Sequence, residues 1–366
     1  MLKYLQIYRT IIKNFGFTLR PVGTFGALGI RNLIHGATRG LDHLLYPGFR
    51  KVPIEKPVFI LGNPRSGTTF MHRFLLNTDQ LCAFELWEML FPAISARKML
   101  GGMVGHLAPF NPAQYHASAA HETSLRDVET DDAMAFLHFI DGGFRWAYYE
   151  AWDDTFGSPE CMPYFDPKLE ATRKKERLYK YMEACWKRNM YVKQRPHPIV
   201  KTSLFTLRAE ELLQRYPDAR LIYMVRDPLE TIPSGTSLIT RVLEQAYDMY
   251  NRAPKDRLDH YLENLYQAGC YMYQSFHDAR ERDAIPKENL RIVEYPRMMK
   301  ELETVVEDLV DFMGLEPPKE FWDKVKIQAD KQRAHTSAHK YSLEKYNLTE
   351  ARIRKDLAYV YDTYKV

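Results

Sequence analysis

A loop rich in small and hydroxyl-bearing residues follows an apolar segment near residue 60. Residues 57–62 read PVFILG, and the residues after them, NPRSGTT, place Arg65 ahead of a glycine. In a strand, loop and helix arrangement the backbone N–H groups point into the loop, and the helix N-terminus adds about half a positive charge. The segment therefore predicts a cradle for a phosphate or sulfate, with the hydroxyls of Ser66, Thr68 and Thr69 as further donors.

The loop differs from that of the nucleotide triphosphatases at one position. Their pattern, GxxxxGK[ST], requires a lysine after the second glycine, where it reaches the β- and γ-phosphates. Here Thr68 follows Gly67, and the positive charge is carried by Arg65 instead. This change favours a donor with two anionic groups, such as a phosphosulfate. A P-loop-type nucleotide kinase or hydrolase is the alternative, and a chance strand-to-helix turn is a further one.

A second candidate anion site follows the apolar segment at residues 220–225. Arg226 comes directly after that segment, Asp227 and Pro228 interrupt it, and Ser234 lies further along. An arginine fork binds a dianionic phosphate through two charge-assisted hydrogen bonds, and a serine at a helix start can add a third. The alternative is an ordinary surface pair of Arg226 and Asp227 at a strand end.

Short apolar runs predict the strands that position these residues, at 57–62, 197–201, 220–225 and 290–295. Helical patterns lie between the strands, at 69–77, 209–216 and 242–279. Strands separated by helices predict a parallel sheet with helices on both faces. We therefore expect an α/β protein with a P-loop-like, three-layer fold over residues 57–366, preceded by a basic, partly amphipathic helical extension over residues 1–56.

Together these segments resemble the PAPS-dependent sulfotransferases, which use 3′-phosphoadenosine 5′-phosphosulfate (PAPS), in the bacterial-type branch with a PRSGTT loop. GNPRSGTTF is similar to the 5′-phosphosulfate loop of the family, and RLIYMVRDPLETIPSG is similar to its 3′-phosphate site. IVKTSLF resembles a strand that ends in Lys-Thr or Lys-Ser, and LRIVEYPRMM resembles a strand that brings a tyrosine toward adenine. The resemblance implies a transferase that moves a sulfuryl group from PAPS to an organic hydroxyl, less readily an amine, and releases adenosine 3′,5′-bisphosphate.

The resemblance also implies roles for particular residues. Those that would bind the donor are Arg65, Ser66, Gly67, Thr68, Thr69, Phe70, Arg226, Ser234 and Tyr295. Arg65 would contact the bridging oxygen of the leaving phosphate, Phe70 would stack near adenine, and Lys201 would lie near the transferring sulfuryl group. We expect no metal, because the His335 and His339 pair has no evident third ligand.

The resemblance leaves the general base open. Cytosolic small-molecule sulfotransferases carry a catalytic histidine two residues after the lysine, where this chain has Ser203. Other branches use a glutamate, and Glu88 in AFELWEML is the leading candidate, ahead of Glu85. Glu129 in DVETDDA is the second candidate, although acidic residues at a helix start also stabilise the helix as caps. The nearby histidines are better explained as structural or surface residues: His116, His121 and His138.

The bulk composition limits the partners. The chain has 366 residues and a net charge of +4, which suits an anionic ligand but not the dense basic surface of a nucleic-acid binder. Four widely spaced cysteines suggest neither disulfides nor a zinc site and favour a cytoplasmic protein. No run of about eighteen apolar residues occurs, so membrane association would be peripheral.

The N-terminal extension could make such a peripheral contact. One face of a helix there would carry Tyr4, Leu5, Tyr8, Ile11, Ile12 and Phe15. Packing of this helix on the main domain is the favoured interpretation, and a membrane-surface helix is the alternative.

The acceptor is the least specified feature. A hydrophobic, lipid-like alcohol is the hypothesis that the basic N-terminus and an aromatic run support, although a role in the core is the favoured interpretation for most of that run: Phe136, Phe139, Phe144, Trp146, Tyr148, Tyr149 and Trp152. A member that binds the nucleotide without turnover is a second alternative for the whole chain. The sequence gives no prediction of the oligomeric state.

Overall fold

The computed structural model describes residues 2–110, 124–334 and 342–366, and the chain divides into two compact units. One unit comprises Met1–Val52, Phe84–Val192 and Thr236–Ala268 and is called the helical unit here. The other comprises Pro53–Ala83, Lys193–Gly235 and Gly269–Val366 and is called the sheet unit. Residues 1–52 thus group with later segments, and the division into an extension and a catalytic domain at residue 56 stays a prediction.

Within the described residues, the sheet unit contains a five-stranded parallel sheet: β1 Val58–Leu61, β2 Leu81–Cys82, β3 His197–Lys201, β4 Arg220–Val225 and β5 Leu290–Glu294. The strand order is β2-β3-β1-β4-β5, with Leu61 opposite Tyr223 and Val225 opposite Glu294. Every residue of β1 is buried, as is all of β4 after its first residue. Burial on both faces explains why these strands are continuous apolar runs rather than alternating ones.

The helices, in chain order, are α1 Leu2–Phe15, α2 Arg20–Leu45, α3 Thr68–Leu75, α4 Leu86–Leu90, α5 Ile94–Leu100, α6 Asp132–Phe139, α7 Gly143–Arg145, α8 Thr172–Lys193, α9 Ala209–Arg215, α10 Pro228–Tyr247, α11 Met249–Arg252, α12 Lys255–Glu281, α13 Tyr295–Lys300, α14 Leu302–Met313, α15 Lys319–Arg333, α16 Glu350–Asp356 and α17 Ala358–Thr363. A π-helix covers Trp146–Glu150. None of the helices in the described part of the chain is both long and apolar enough to cross a bilayer.

The predicted α/β fold class is confirmed, because the four predicted strands are present and all pairings are parallel. The connection from β1 to β2 runs toward one edge of the sheet, and the connection from β3 to β4 runs toward the other. Since parallel crossovers are right-handed, helices α3 and α9 in these connections cover opposite faces. Sequence reasoning missed β2, which is only two residues long.

The predicted helical stretch at 242–279 is wrong as a single element. Helix α10 begins earlier and ends at Tyr247, and α12 begins only at Lys255. Asp248 between them has a φ of 55°, a left-handed conformation that ends a helix. Pro254 precedes α12 and lacks the N–H that a helix interior needs.

Helix α1 packs within the helical unit, in agreement with the favoured interpretation. Ile7, Ile11 and Phe15 are buried and recur every four residues. The ring of Phe15 lies 5.1 Å from those of Trp152 and Tyr247. The buried face therefore includes Ile7, which the predicted face left out, because the helix is rotated slightly from the expected orientation.

A buried ion pair joins three helices of the helical unit. Asp42 of α2 and Arg188 of α8 are almost fully buried, and Arg188 Nε donates to Asp42 Oδ2 at 2.7 Å. Asp42 also accepts from the backbone N–H groups of Ile94 and Ser95 and from the Ser95 hydroxyl, at 2.7 to 3.0 Å. Asp42 thereby accepts hydrogen bonds from N–H groups at the start of α5 that have no partner within the helix. Its negative charge is balanced by these N–H groups and by Arg188.

Candidate active site

The predicted donor-binding residues meet at the carboxyl edge of the sheet. Gly62 follows β1, Lys201 ends β3, Arg226 follows β4 and Tyr295 follows β5. The connection that leaves β1 runs to β2 on one side of the sheet, and the connection that leaves β4 runs to β5 on the other side. The two connections therefore diverge at the β1 and β4 pair. In open parallel sheets such a divergence leaves a crevice at the carboxyl ends of the strands, where ligands bind.

The loop after β1 has the shape of an anion cradle. Gly62 has a φ of 133°, and its N–H donates to Thr206 Oγ1 at 2.8 Å. The Ser66 hydroxyl is buried and donates to the carbonyl of Asn63, so it fixes the loop rather than projecting into it. Gly67, with a φ of 94°, precedes α3, whose first N–H groups have no intrahelical partners. The loop therefore presents backbone donors to a ligand.

Arg65 occupies an unusual backbone conformation. Its φ is 73°, which costs free energy for a residue with a side chain, and such residues cluster at functional sites. Its Nε donates to Ser234 Oγ at 3.1 Å, and its carbonyl accepts from Arg226 Nη1 at 3.4 Å. The structure thus brings the two candidate anion motifs into direct contact.

Arg226 is held on several sides. Its guanidinium carbon lies 3.9 Å from the centroid of the Tyr295 ring, a cation–π contact, and it forms an ion pair with Glu230 one helical turn later. Its carbonyl accepts from the Tyr273 hydroxyl at 2.8 Å, and burial raises the pKa of Tyr273, so this hydroxyl stays protonated. Arg226 Nε is buried without a hydrogen-bond partner among the described residues, which leaves one donor for a ligand.

Lys201 and Phe70 flank the start of α3. The Lys201 ammonium is buried and donates to Thr69 Oγ1 at 2.8 Å, so it reaches the loop, and its position near a sulfuryl group stays a prediction. The ring of Phe70 lies 5.5 Å from that of Phe74 on the next turn of α3. The predicted stacking of Phe70 and Tyr295 near adenine stays a prediction.

The candidate bases Glu88 and Glu129 both lie in the helical unit. Glu88 accepts a hydrogen bond from the N–H of Glu85 at 2.8 Å in a capping box at the start of α4, and it pairs with Arg97 at 3.2 Å. An isolated bridge between Glu85 and Val128 brings the Glu129 segment beside α4, and Glu129 is also buried. Glu88 therefore has a structural role, and which of the two acts as base stays a prediction.

His138 fits the structural interpretation that the sequence favours. Its ring stacks on Tyr181 with centroids 4.1 Å apart. Burial, with the positive charges of Arg31 and Arg39, lowers the pKa of His138 to about 3, so it is a poor proton acceptor at neutral pH. The other histidines that the sequence singles out lie outside the described residues: His116, His121, His335 and His339.

Several residues that hold the site in position were not predicted from the sequence. Thr206 holds the Gly62 N–H, and the Asn63 side chain donates to the carbonyl of Gly269 at 2.9 Å. The Tyr361 hydroxyl donates to Asp227 at 2.7 Å, which ties the C-terminal helices to the end of β4. These partners are far apart in the sequence, so no local pattern could have identified them.

Five of the seven residues of the aromatic run form two groups. Trp146 and Trp152 are fully buried and belong to the core of the helical unit. Phe136, Phe144 and Tyr148 are half-buried, with ring centroids 5.8 to 6.1 Å apart, and Tyr148 belongs to the π-helix. Insertions of this kind in helices are frequent at functional sites.

Comparison with known proteins identifies the family of this site. Residues 57–319 match the profile of the sulfotransferase family. The chain belongs to the sulfotransferase family. The predicted family is thus confirmed, and the matched residues include the loop after β1 together with Lys201, Arg226 and Tyr295.

Two relatives of known function are omega-hydroxy-beta-dihydromenaquinone-9 sulfotransferases, from Mycobacterium bovis and Mycobacterium tuberculosis. Each is 24% identical over 184 residues, which is 50% of this chain and 45% of the relative. The chain thus spans less than half of the length of these relatives.

Solved sulfotransferase structures share the fold. STF1 from Mycobacterium tuberculosis superposes with a TM-score of 0.68 at 16% identity, over 97% of this chain and 90% of that one. STF9 from Mycobacterium avium gives a TM-score of 0.64 at 18% identity, over 90% and 82% of the two chains. At this identity the likeness establishes the fold alone.

Replacing each of two glycines by alanine tests the loop geometry, because one change should destabilise the protein and the other should not. A Cβ on Gly62 would lie 2.3 Å from the carbonyl oxygen of Met224, and its φ disfavours any side chain. Gly62→Ala should therefore lower the melting temperature markedly. Gly235→Ala is the control, because its Cβ would meet only Pro64 at 3.9 Å and alanine strengthens a helix by about 0.5–1 kcal/mol. Equal melting temperatures for the two variants would contradict the described loop.

Proposed function

We propose that this chain transfers a sulfuryl group from PAPS to the hydroxyl of a hydrophobic, lipid-like acceptor and releases adenosine 3′,5′-bisphosphate. The observation that carries the proposal is the meeting of Arg65 and Arg226 at the carboxyl edge of β1 and β4, with Lys201 on the neighbouring strand. Two separate basic groups suit a donor that carries a 5′-phosphosulfate and a 3′-phosphate.

The residues present fit such a donor. The loop of Gly62 to Thr69 offers backbone N–H groups at a helix start for the 5′ group. Arg226 keeps one buried donor that has no partner in the described part of the chain, and Ser234 lies within hydrogen-bond distance of Arg65. Arg226 and Ser234 would hold the 3′-phosphate, and Tyr295 would lie toward adenine.

PAPS, when bound, supplies a sulfuryl group joined to phosphate through a bridging oxygen. Arg65 and Lys201 stabilise the negative charge that the bridging oxygen gains as its bond to sulfur breaks. The acceptor oxygen forms the new bond to sulfur, and its proton passes to a carboxylate. The chain contributes positioning and charge stabilisation in this in-line displacement.

We assign the proton transfer to Glu88 first and to Glu129 second. Both carboxylates are buried in the helical unit and lie on segments joined by the Glu85 and Val128 bridge. Within the described residues no three His, Cys, Asp or Glu side chains are grouped as metal ligands, and the expectation of a reaction without a metal stays a prediction.

The acceptor class rests on two observations. Phe136, Phe144 and Tyr148 form a half-buried aromatic cluster, which suits an apolar ligand. The matched mycobacterial relatives are named for a hydroxylated dihydromenaquinone. A hydrophobic alcohol presented at a membrane is therefore the acceptor that we infer.

The donor assignment predicts selective nucleotide binding. Adenosine 3′,5′-bisphosphate should raise the melting temperature, whereas 5′-AMP, which lacks the 3′-phosphate, should do much less. Arg226→Ala should lower the affinity for the bisphosphate more than about tenfold by calorimetry, because each charge-assisted hydrogen bond contributes ~1.5–3 kcal/mol. Glu230→Gln is the control, since it removes the ion pair but leaves the guanidinium. Equal binding of the two nucleotides would overturn this assignment.

The base assignment predicts a selective loss of turnover. Glu88→Gln should lower kcat by about 10²–10⁴-fold while the affinity for adenosine 3′,5′-bisphosphate is retained. Because Glu88 pairs with buried Arg97, the melting temperature of the variant is measured alongside, and kcat is determined well below it. Glu129→Gln is the comparison. If Glu129→Gln is inactive and Glu88→Gln has normal kcat, the base is Glu129.

The acceptor assignment predicts which substrates turn over. Radiolabelled PAPS and acceptors in detergent micelles should give product with hydrophobic alcohols and little with saccharides or peptides. Phe144→Ala should raise the KM for the alcohol and leave donor binding unchanged. Phe25→Ala is the control, because Phe25 forms a similar half-buried ring pair with Tyr4 and is not one of the three rings of the cluster. Turnover restricted to charged sugars would refute the hydrophobic acceptor but leave the donor site intact.

A further inference from the structure

Helix α2 is amphipathic, but it buries its polar face and exposes its apolar face. Its polar residues Arg31, His35, Thr38 and Asp42 are 9% exposed or less, and their spacing of three or four residues places them on one face. A surface helix normally buries its apolar side and exposes its polar side. Here the helical unit binds the polar side, as the Asp42 and Arg188 pair illustrates.

The opposite side of α2 is apolar and exposed. We call it the outer face and define it by Val22, Ile30, Leu33, Ile34, Leu41 and Leu44. These side chains are between 38% and 78% exposed. At 100° per residue, the positions between them on the same half of the helix are alanine, glycine or leucine. A helix of 26 residues extends about 39 Å, so the outer face is a long strip without a charged or polar side chain.

No part of the described chain covers the outer face. A Cβ added to Gly23, Gly26 or Gly40 would meet nothing within 4 Å. Among the described residues, eleven of the sixteen exposed large hydrophobic side chains lie between Leu2 and Leu45. Contiguous exposed apolar surface of this kind marks a site of interaction with a membrane or another protein.

The charge of the segment that carries α2 favours a membrane over another protein as the partner of the outer face. Residues 2–52 contain one carboxylate, that of Asp42, and it is 0% exposed. Exposed basic side chains occur before α2, at its first residue and after it in the sequence: Arg9, Lys13, Arg20, Arg50 and Lys51. An apolar strip carried by a basic segment complements an anionic lipid surface. In a two-fold contact with a second copy, the same patch would meet itself and like charges would approach.

We propose that α2 lies on the surface of an anionic lipid bilayer, with its outer face inserted at the boundary between headgroups and acyl chains. The sequence alternative placed such a contact on α1, whose apolar residues Ile7, Ile11 and Phe15 are instead buried. The contact belongs to α2 and does not depend on the proposed sulfuryl transfer. It would place the protein where a lipid-like acceptor is found.

Flotation of the full chain with lipid vesicles tests the proposal. Vesicles that contain phosphatidylglycerol should bind the protein, vesicles of phosphatidylcholine alone should bind it much less, and added salt should weaken the binding. The double variant Leu33→Gln, Leu44→Gln should bind more than about tenfold less, because two large apolar side chains leave the contact. Ile327→Gln is the matched control, since Ile327 is a 57% exposed residue of α15.

Adenosine 3′,5′-bisphosphate binding, measured on the same samples, should be unchanged in the double variant, so that loss of fold or of the donor site is separated from loss of lipid binding. Equal binding to both vesicle types, or binding by the double variant at the wild-type level, would refute the proposal. A wild-type dimer that the double variant converts to a monomer, without vesicle binding by either, would show that the outer face contacts a second copy instead.

Discussion

The close approach of β1 to β4 is the constraint on which the proposed donor site depends. Leu61 and Tyr223 are opposite each other, so the chain must leave β1 directly beside the backbone of Met224. Glycine at position 62 is the residue that allows this, because a Cβ there would overlap the Met224 carbonyl oxygen. The same turn places Arg65 in a left-handed conformation and points its carbonyl at Arg226. The two anion motifs are therefore coupled through a backbone contact.

The left-handed conformation of Arg65 and its contact with Arg226 persist because neighbouring groups hold Arg226 and Asp227 in place. The Tyr295 ring lies against the Arg226 guanidinium, and the Tyr273 hydroxyl holds the Arg226 carbonyl. Tyr361 holds Asp227, the next residue. A guanidinium that is already oriented would lose less conformational freedom when a phosphate binds, so these contacts would favour affinity in the proposed donor complex. In the proposed donor complex Glu230 would have the opposite effect, because its ion pair with Arg226 would compete with the phosphate.

Local chemistry made the sheet and the loop predictable from the sequence. Residues 58–61 and 220–225 are continuous apolar runs because both faces are covered, and the loop after β1 is recognised from neighbouring residues. The short strand Leu81–Cys82 has too few residues for any periodicity. The break at Asp248 depends on a left-handed conformation that aspartate adopts only in context. Partners such as Thr206 and Tyr361 depend on the tertiary fold and were not predictable.

The helical unit shows why periodicity alone does not tell which face of a helix is buried. Helix α2 has one polar and one apolar face, and the usual assumption would bury the apolar one. Asp42 reverses this, because it satisfies the free N–H groups of α5 and the charge of Arg188 at once. Burying a charge is costly unless it is paired and hydrogen-bonded, and here all three partners are supplied by the fold. If α2 were rotated to bury its leucines, Asp42 would move away from its partners and Arg188 would be left buried without its ion pair. The exposed apolar face is thus a consequence of the ion pair, and no part of the described chain covers it.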